Sequence, residues 1–299
     1  MGEFAAILVS ICWALCGIFF NAAGKKIGAF SVNIIRLTFA VILFIITHLF
    51  VFHTFLPANA TSSQWLWLGL SGIVGLIIGD TFLYQSFIYL DLRIPFLVMS
   101  TVPMISTFFA WIFLHENLKI VAVAGIVVTV VGIAIVINER NDNQTLEKAY
   151  SKKKYVLGIL FAFVGALGQA GGLIFAKYGM QNDIPVLSAT LIRMVAALVA
   201  IWILAIFQGD AKKTIQLAKQ HPKSLLDTFY GSIIGPYMGV WLSLLALKSA
   251  YVGTTSTLMA LTPIVLIPIS KWIYKEKISR RSIIGTFVTM IGVAIIFIG

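Results

Sequence analysis

The chain has 299 residues, of which 60% are hydrophobic and only 11% are charged, and its mean hydropathy is +0.98. This composition excludes an ordinary water-soluble globular protein. A net charge of +11 would suggest nucleic-acid binding in a soluble protein, but here the basic residues lie mainly in the connectors between apolar segments. We therefore expect them to face membrane lipid headgroups, and we expect no nucleic-acid partner.

Apolar runs of roughly 18 to 22 residues recur along the whole chain, and each is long enough to cross a hydrocarbon core about 30 Å thick as a helix. They predict an all-α membrane protein with ten transmembrane helices, which we number as segments 1 to 10. The predicted segments lie near residues 4–22, 31–52, 65–89, 94–114, 119–137, 155–177, 187–207, 228–248, 254–274 and 281–298.

The second half of the chain repeats the first. Alignment of the two halves pairs these residues: Arg36 with Arg193, Met99 with Met259, Pro103 with Pro263, Glu116 with Glu276, Gly125 with Gly285, and Gly132 with Gly292. We expect one five-helix repeat over residues 1–137, a cytoplasmic linker over 138–154 and a second repeat over 155–299. Because five is odd, the second copy enters the membrane in the opposite direction, which gives the inverted repeats typical of secondary transporters.

The distribution of lysine and arginine predicts the orientation of the chain. The connectors after segments 1, 3, 5, 7 and 9 are rich in both residues, whereas the opposite connectors carry only Lys119, Lys177 and Lys248. The positive-inside rule then places the midpoint linker in the cytoplasm and both termini outside.

Three stretches carry a resemblance to a known family. They are GDTFLYQSFIYL at the end of segment 3, GQAGGLIFAKYGM in segment 6, and the equal spacing of Pro103 to Glu116 and of Pro263 to Glu276. With these features the chain resembles the ten-helix EamA-type members of the drug/metabolite transporter superfamily over essentially its whole length. The resemblance implies alternating access around a cavity lined by segments 1, 3, 4, 6, 8 and 9, usually for export of amino acids or similar metabolites. It also implies cytoplasmic termini, contrary to the charge distribution.

Three of the charged residues inside predicted segments are candidates for a functional role. Asp80 is an intramembrane carboxylate, which costs about 2.5–3.5 kcal/mol to insert and so suggests a role in binding a substrate amine or a proton. Alternatively it is a structural partner of a polar group in segment 2 or 8. Arg36 and Arg193 occupy matching positions that we expect on opposite sides of the membrane, where either could hold a substrate carboxylate or extend to the headgroups.

Other candidate substrate-binding residues combine aromatic, amide, hydroxyl and thioether groups, as a cavity for an amphipathic metabolite requires. They are Tyr84, Gln85, Met99, Thr101, Gln169, Tyr237, Trp241 and Met259. The alternatives are interfacial aromatic belts for the rings and helix packing for Gln169. Pro103 and Pro263 interrupt segments 4 and 9, so we predict a hinge at each.

These features favour a secondary transporter in the inner membrane of a bacterial cell, with a small organic solute, alone or together with protons, as its partner. Alternative hypotheses are a cationic drug/proton antiporter, a non-transporting membrane scaffold and a component of a lipid-carrier flippase. The sequence contains neither a phosphate-binding GxxxxGK[ST] motif nor a metal-ligand spacing. We therefore expect no cofactor, no metal and no enzymatic activity.

Overall fold

The computed structural model describes residues 2–113, 120–142, 152–181, 183–249, 251–272 and 279–298. Within these ranges the chain is helical and contains no strand, which confirms the all-α class. Most of the predicted linker, together with Glu116 and Glu276, lies outside the described residues.

Within the described ranges, the first half contains seven α-helices and one π-helical segment: α1 Gly2–Ile27, α2 Ala29–Phe52, α3 Ser62–Ser71, π1 Gly72–Gly79, α4 Asp80–Tyr89, α5 Arg93–Met99, α6 Val102–Phe113 and α7 Ile120–Asp142. The second half contains α8 Lys152–Gly179, α9 Val186–Phe207, α10 Asp210–Gln220, α11 Pro222–Ser232, π2 Ile233–Gly239, α12 Val240–Ser249, α13 Val252–Met259, α14 Thr262–Trp272 and α15 Arg280–Ile298.

The predicted segments correspond to these elements in order. Segment 3 is α3, π1 and α4 in succession, segment 4 is α5 and α6, segment 8 is α11, π2 and α12, and segment 9 is α13 and α14. Seven helical spans in the described residues are long and apolar enough to cross a membrane, and shorter apolar helices cover Val123–Val136 and Thr255–Ile269. The chain is a multi-pass integral membrane protein.

Segment 3 begins at a capping box. The Thr61 hydroxyl accepts from the backbone N–H of Gln64 at 3.3 Å, and the Gln64 side chain accepts from the Thr61 N–H at 2.9 Å. The two interactions satisfy backbone donors that a helix start leaves free. The sequence predicts a start near residue 65, a few residues too late.

Glycine allows segment 3 to press directly against α8. A Cβ placed on Gly168 would lie 2.7 Å from Gly79 Cα, and one on Gly172 would lie 2.8 Å from Gly75 Cα. These distances are shorter than any ordinary carbon contact, so only glycine permits the observed approach of the two backbones. The crossing brings α8 against the π-helical segment and positions its polar residue Gln169.

Segments 4 and 9 are interrupted at matching positions. A turn at Ser100 and Thr101 separates α5 from α6, and a turn at Ala260 and Leu261 separates α13 from α14. Pro103 and Pro263 are the second residues of the helices that follow, where a helix needs no N–H donor from the chain. The sequence predicted kinks in continuous helices, whereas the structure has a break one turn earlier, with each proline starting a new helix.

The α7 and α15 helices form the most extensive helix–helix contact in the described structure. The contact is reciprocal: Gly132 of α7 lies against the backbone N of Thr289, and Gly292 of α15 lies against the backbone N of Thr129. A side chain at either glycine would push the helices apart. This pair joins the two halves of the chain.

One helix was not predicted. The connector after segment 7 contains α10, Asp210–Gln220, whose Thr214 is buried and lies 3.2 Å from the Ser31 hydroxyl. The helix therefore docks on α2 through a polar contact between side chains. This connector is rich in lysine, and the sequence prediction used those lysines only to orient the chain in the membrane, not to identify a helix.

Candidate functional site: a charged cavity at the helix breaks

A cavity lies between the two halves and is lined mainly by apolar side chains. Its wall includes Trp13, Cys16, Gly17 and Phe20 of α1, Leu83, Tyr84 and Phe87 of α4, Phe96 and Met99 of α5, Val102 of α6, Leu173 of α8, Gly235 and Pro236 of π2, and Met259 of α13. Segments 1, 3, 4, 6, 8 and 9 all contribute, as the family resemblance implies. Segments 2 and 7 add one residue each, and both of these are arginines.

Arg36 is held on three sides at the cavity wall. Its Nε donates to Asn33 Oδ1 at 2.8 Å, and its Nη2 donates to the Leu76 carbonyl at 3.1 Å and to Asp80 Oδ2 at 2.5 Å. The guanidinium also lies 5.1 Å from the centre of the Tyr84 ring. The side chain is almost fully buried, so these contacts replace the water that it gives up.

Asp80 both supports Arg36 and faces the cavity. Its side chain is 14% exposed, compared with 2% for Arg36. It is the first residue of α4, directly after the π-helical segment whose Leu76 carbonyl also binds Arg36. Thus Asp80 is the structural partner of a polar group in segment 2, the alternative left open above, and it also lies on the cavity wall.

Arg193 lines the same cavity from α9 and is only 1% exposed. Its Nε has no hydrogen-bond partner within the described residues, and no salt bridge to it is formed there. The position where Gly75 would carry a Cβ is 3.0 Å from Arg193 Nη2 and 3.7 Å from Gln169 Oε1, so the two polar ends converge on π1. Gln169 Oε1 also lacks a partner in this part of the chain.

The arginines differ from their sequence expectation. We expected them on opposite sides of the membrane and shallow enough to reach the headgroups, but both are buried and both line one cavity. Packing of α2 against α9 brings the two repeat-related positions together. The alternative in which these two side chains extend to the lipid headgroups therefore does not fit their buried positions at the cavity.

The structure brings seven of the predicted site residues to this cavity: Arg36, Asp80, Tyr84, Met99, Gln169, Arg193 and Met259. Four others lie elsewhere. Gln85 donates to the Tyr89 hydroxyl at 3.4 Å, and the Thr101 hydroxyl donates to the Val98 carbonyl at 2.8 Å within the break of segment 4.

Tyr237 and Trp241 are also placed away from the cavity. The Tyr237 hydroxyl lies 2.6 Å from the Thr47 hydroxyl, and its ring packs on Phe44. Trp241 packs beside it, at a ring distance of 6.3 Å. The two side chains belong to the packing between segments 2 and 8. The sequence does not reveal this, because in a helix that is apolar all round it does not show which face points to the cavity.

Other residues that line the cavity were not among those predicted from the sequence, notably Ser256 and Thr262 at the break of segment 9. Ser256 lies 2.9 Å from the Ser106 hydroxyl across the two halves, and the Thr262 hydroxyl donates to the Met259 carbonyl at 3.0 Å. The signal that could have found them is their position three residues before and three residues after Met259, with Thr262 directly before the repeat-paired Pro263.

A polytopic helical fold with a buried, charged cavity between two repeated halves is typical of membrane transporters. The family comparison agrees: the EamA-like transporter family matches residues 1–138 and 156–298, nearly the whole chain. The protein therefore belongs to the EamA-like transporter family.

Two similar proteins extend over the full length of the chain. A protein of Archaeoglobus fulgidus described as an uncharacterized transporter is 21% identical over 295 residues, which cover 98% of this chain and 96% of that protein. A crystal structure superposes with a TM-score of 0.67 at 14% identity and covers 98% of this chain and 94% of the other. At that identity the structure supports the fold alone.

Proposed function

We propose that this chain is a secondary transporter that exports a small organic solute, of the size and polarity of an amino acid, by alternating access through the central cavity. Its proposed location is the cell membrane, with transport driven by the gradient of the solute or by exchange for protons at Asp80. Export is the direction that the family resemblance implies.

The observation that carries this proposal is the position of the cavity at the two helix breaks. Met99 ends α5 and Met259 ends α13, and both side chains line the cavity directly before the turns that interrupt segments 4 and 9. Breaks at repeat-related positions leave the two helices free to change angle around one site, which alternating access between inverted repeats requires.

The composition of the cavity supports a small organic solute. Aromatic and aliphatic walls suit an apolar body, and a few buried polar groups suit a polar end. The charged side chains on the described wall are Arg36, Asp80 and Arg193, which together carry one excess positive charge. That balance argues against the cationic drug/proton antiporter considered above.

The test is flux through the purified chain in proteoliposomes. Counterflow of a radiolabelled amino-acid mixture should exceed that of empty liposomes and should fall to background in Met99→Trp, because the larger ring would fill space that the partly exposed Met99 leaves open. Ile203→Trp is the matched control, since Ile203 is 48% exposed on α9 outside the cavity.

Two results would count against the proposal. Equal flux in the two tryptophan variants would show that solute does not pass the cavity. Flux no greater than that of empty liposomes, with a folded protein, would favour the scaffold or flippase hypotheses.

A further inference from the structure

The two repeat-related arginines are equivalent in sequence but not in their surroundings. In the first half, Arg36 has an amide oxygen from Asn33, a carbonyl from Leu76 and a carboxylate from Asp80. The charge of Arg36 is therefore neutralised within the protein, and its Nε and Nη2 donors are already occupied.

The second half lacks counterparts of the Asn33 and Asp80 side chains. The alignment that pairs Arg36 with Arg193 pairs Asn33 with Thr190, and Thr190 uses its hydroxyl to donate to the Val186 carbonyl at 2.7 Å. The alignment that pairs Met99 with Met259 pairs Asp80 with Val240.

Both Asp80 and Val240 directly follow a π-helical segment, so the structure supports this alignment. Val240 also lines the cavity, but it offers no charge and no acceptor in its side chain. The carboxylate that the first half provides is thus missing from the second half.

A buried guanidinium without a counter-charge is unfavourable, because it has lost its water without gaining a partner. Arg193 is 1% exposed, and its Nε is unpartnered in the described chain. The nearby Asp80 is already bound to Arg36. An anion that enters the cavity from outside would supply the negative charge that the Val240 side chain lacks.

We propose that Arg193 binds the carboxylate of the transported solute and that Arg36 does not. This inference rests on the proposed function and specifies its substrate class as small organic acids and amino acids with an apolar body. The planar fork of Arg193 matches the two oxygens of a carboxylate, and the aromatic wall formed by Phe20, Phe87 and Phe96 accommodates the rest of the molecule.

Matched ligands separate the carboxylate from the remainder of the solute. We would measure binding of leucine, 4-methylpentanoate and 3-methylbutylamine to the purified chain by calorimetry, with phenylalanine, 3-phenylpropanoate and 2-phenylethylamine as a second set. At least one carboxylate of each set should bind about 10- to 100-fold more tightly than the amine, as expected for hydrogen bonds to a charged group.

Two substitutions test the role of Arg193 itself. Arg193→Gln should weaken carboxylate binding by about 10- to 100-fold and leave the weak amine binding unchanged. Val240→Asp should weaken carboxylate binding to a similar degree although Arg193 is intact, because it restores the internal carboxylate that Asp80 provides in the first half. Val240→Asn, which introduces a side chain of the same size as aspartate but without its charge, should weaken carboxylate binding less.

Several outcomes would overturn the inference. They are tighter binding of the amines, absence of carboxylate binding to the wild-type chain, and equal carboxylate affinity in Arg193→Gln and wild type. In each case solute flux that remains sensitive to Met99→Trp would leave the proposed transport function standing. A thermal melting curve identifies any variant that has lost its fold, and Arg193→Lys, which retains the charge, then replaces Arg193→Gln with a smaller expected loss.

Discussion

Removal of the negative charge from Asp80 should destabilise the protein strongly. Asp80→Asn retains the size of the side chain and an oxygen that can accept from Arg36, but it leaves the guanidinium without a counter-charge. Arg36 is only 2% exposed in its side chain and cannot regain water without opening the contact between α2 and π1. The loss is therefore electrostatic, and the shape of the site is unchanged.

The size of the effect follows from the burial of the pair. Loss of one partner from a buried ion pair costs about 3–5 kcal/mol. Asp80 is 14% exposed to the cavity, and the Asn33 and Leu76 contacts of Arg36 remain. We therefore expect a loss near the lower limit, about 3 kcal/mol, in the free energy of unfolding.

Equilibrium unfolding in mixed detergent micelles measures this loss, and the chain provides a matched control. Asp210 forms an ion pair with Lys213 at 3.6 Å, but the two side chains are 37% and 70% exposed. Solvent screens such a pair, so Asp210→Asn should change the free energy by no more than about 0.5 kcal/mol. Equal losses in the two variants would refute the argument from burial.

A double variant checks the assignment of the partner. Arg36→Met combined with Asp80→Asn removes both charges together, so it should be less destabilised than the sum of the two single variants. Additive losses would show that Asp80 does not neutralise Arg36.

Two further predictions concern a close helix contact and a hydrogen bond. Gly168→Ala should destabilise the fold by about 1–3 kcal/mol, because its Cβ would overlap backbone atoms of segment 3. Gly24→Ala, where no atom lies within 4 Å of the new Cβ, should be neutral or stabilising by up to about 1 kcal/mol. The same unfolding assay compares the two variants, and stability losses of similar size would contradict the packing argument. Tyr237→Phe should lose about 1 kcal/mol of stability with its bond to Thr47, yet calorimetry should find its solute affinity unchanged. A lower affinity would place Tyr237 in the binding site after all.

The sequence was sufficient for the order of the apolar segments, because each is long and its ends carry polar residues or glycine, but not for the polar helix α10. Position along the chain also identified the breaks: the paired prolines Pro103 and Pro263 marked the correct turns to within a few residues. The π-helical segments could not be predicted, since π1 packs against α8 and π2 packs against α1, and these contacts depend on the tertiary arrangement. For π1 the close approach depends on Gly168 and Gly172.

The candidate site was predictable in composition but not in arrangement. Asp80, Arg36 and Arg193 were conspicuous because charged residues are rare inside apolar segments. Their depth and their partners depend on which helices meet, and the sequence separation of Arg36 and Asp80 gives no direct indication of their pairing. For Tyr237 and Trp241 the residue type suggested a cavity, but the rotation of the helix about its axis directs both rings into the packing with segment 2.

The reciprocal contact of Gly132 with Thr289 and of Gly292 with Thr129 has the form of an isologous dimer interface, in which each partner offers the same patch to the other. Here both patches belong to one polypeptide. Two separate five-helix chains would have to find each other in the membrane before this contact could form. Covalent linkage makes the encounter intramolecular, which raises the effective concentration of one half near the other without any new contact. It also allows the two halves to diverge, so that one arginine can acquire an internal carboxylate while its counterpart lacks one.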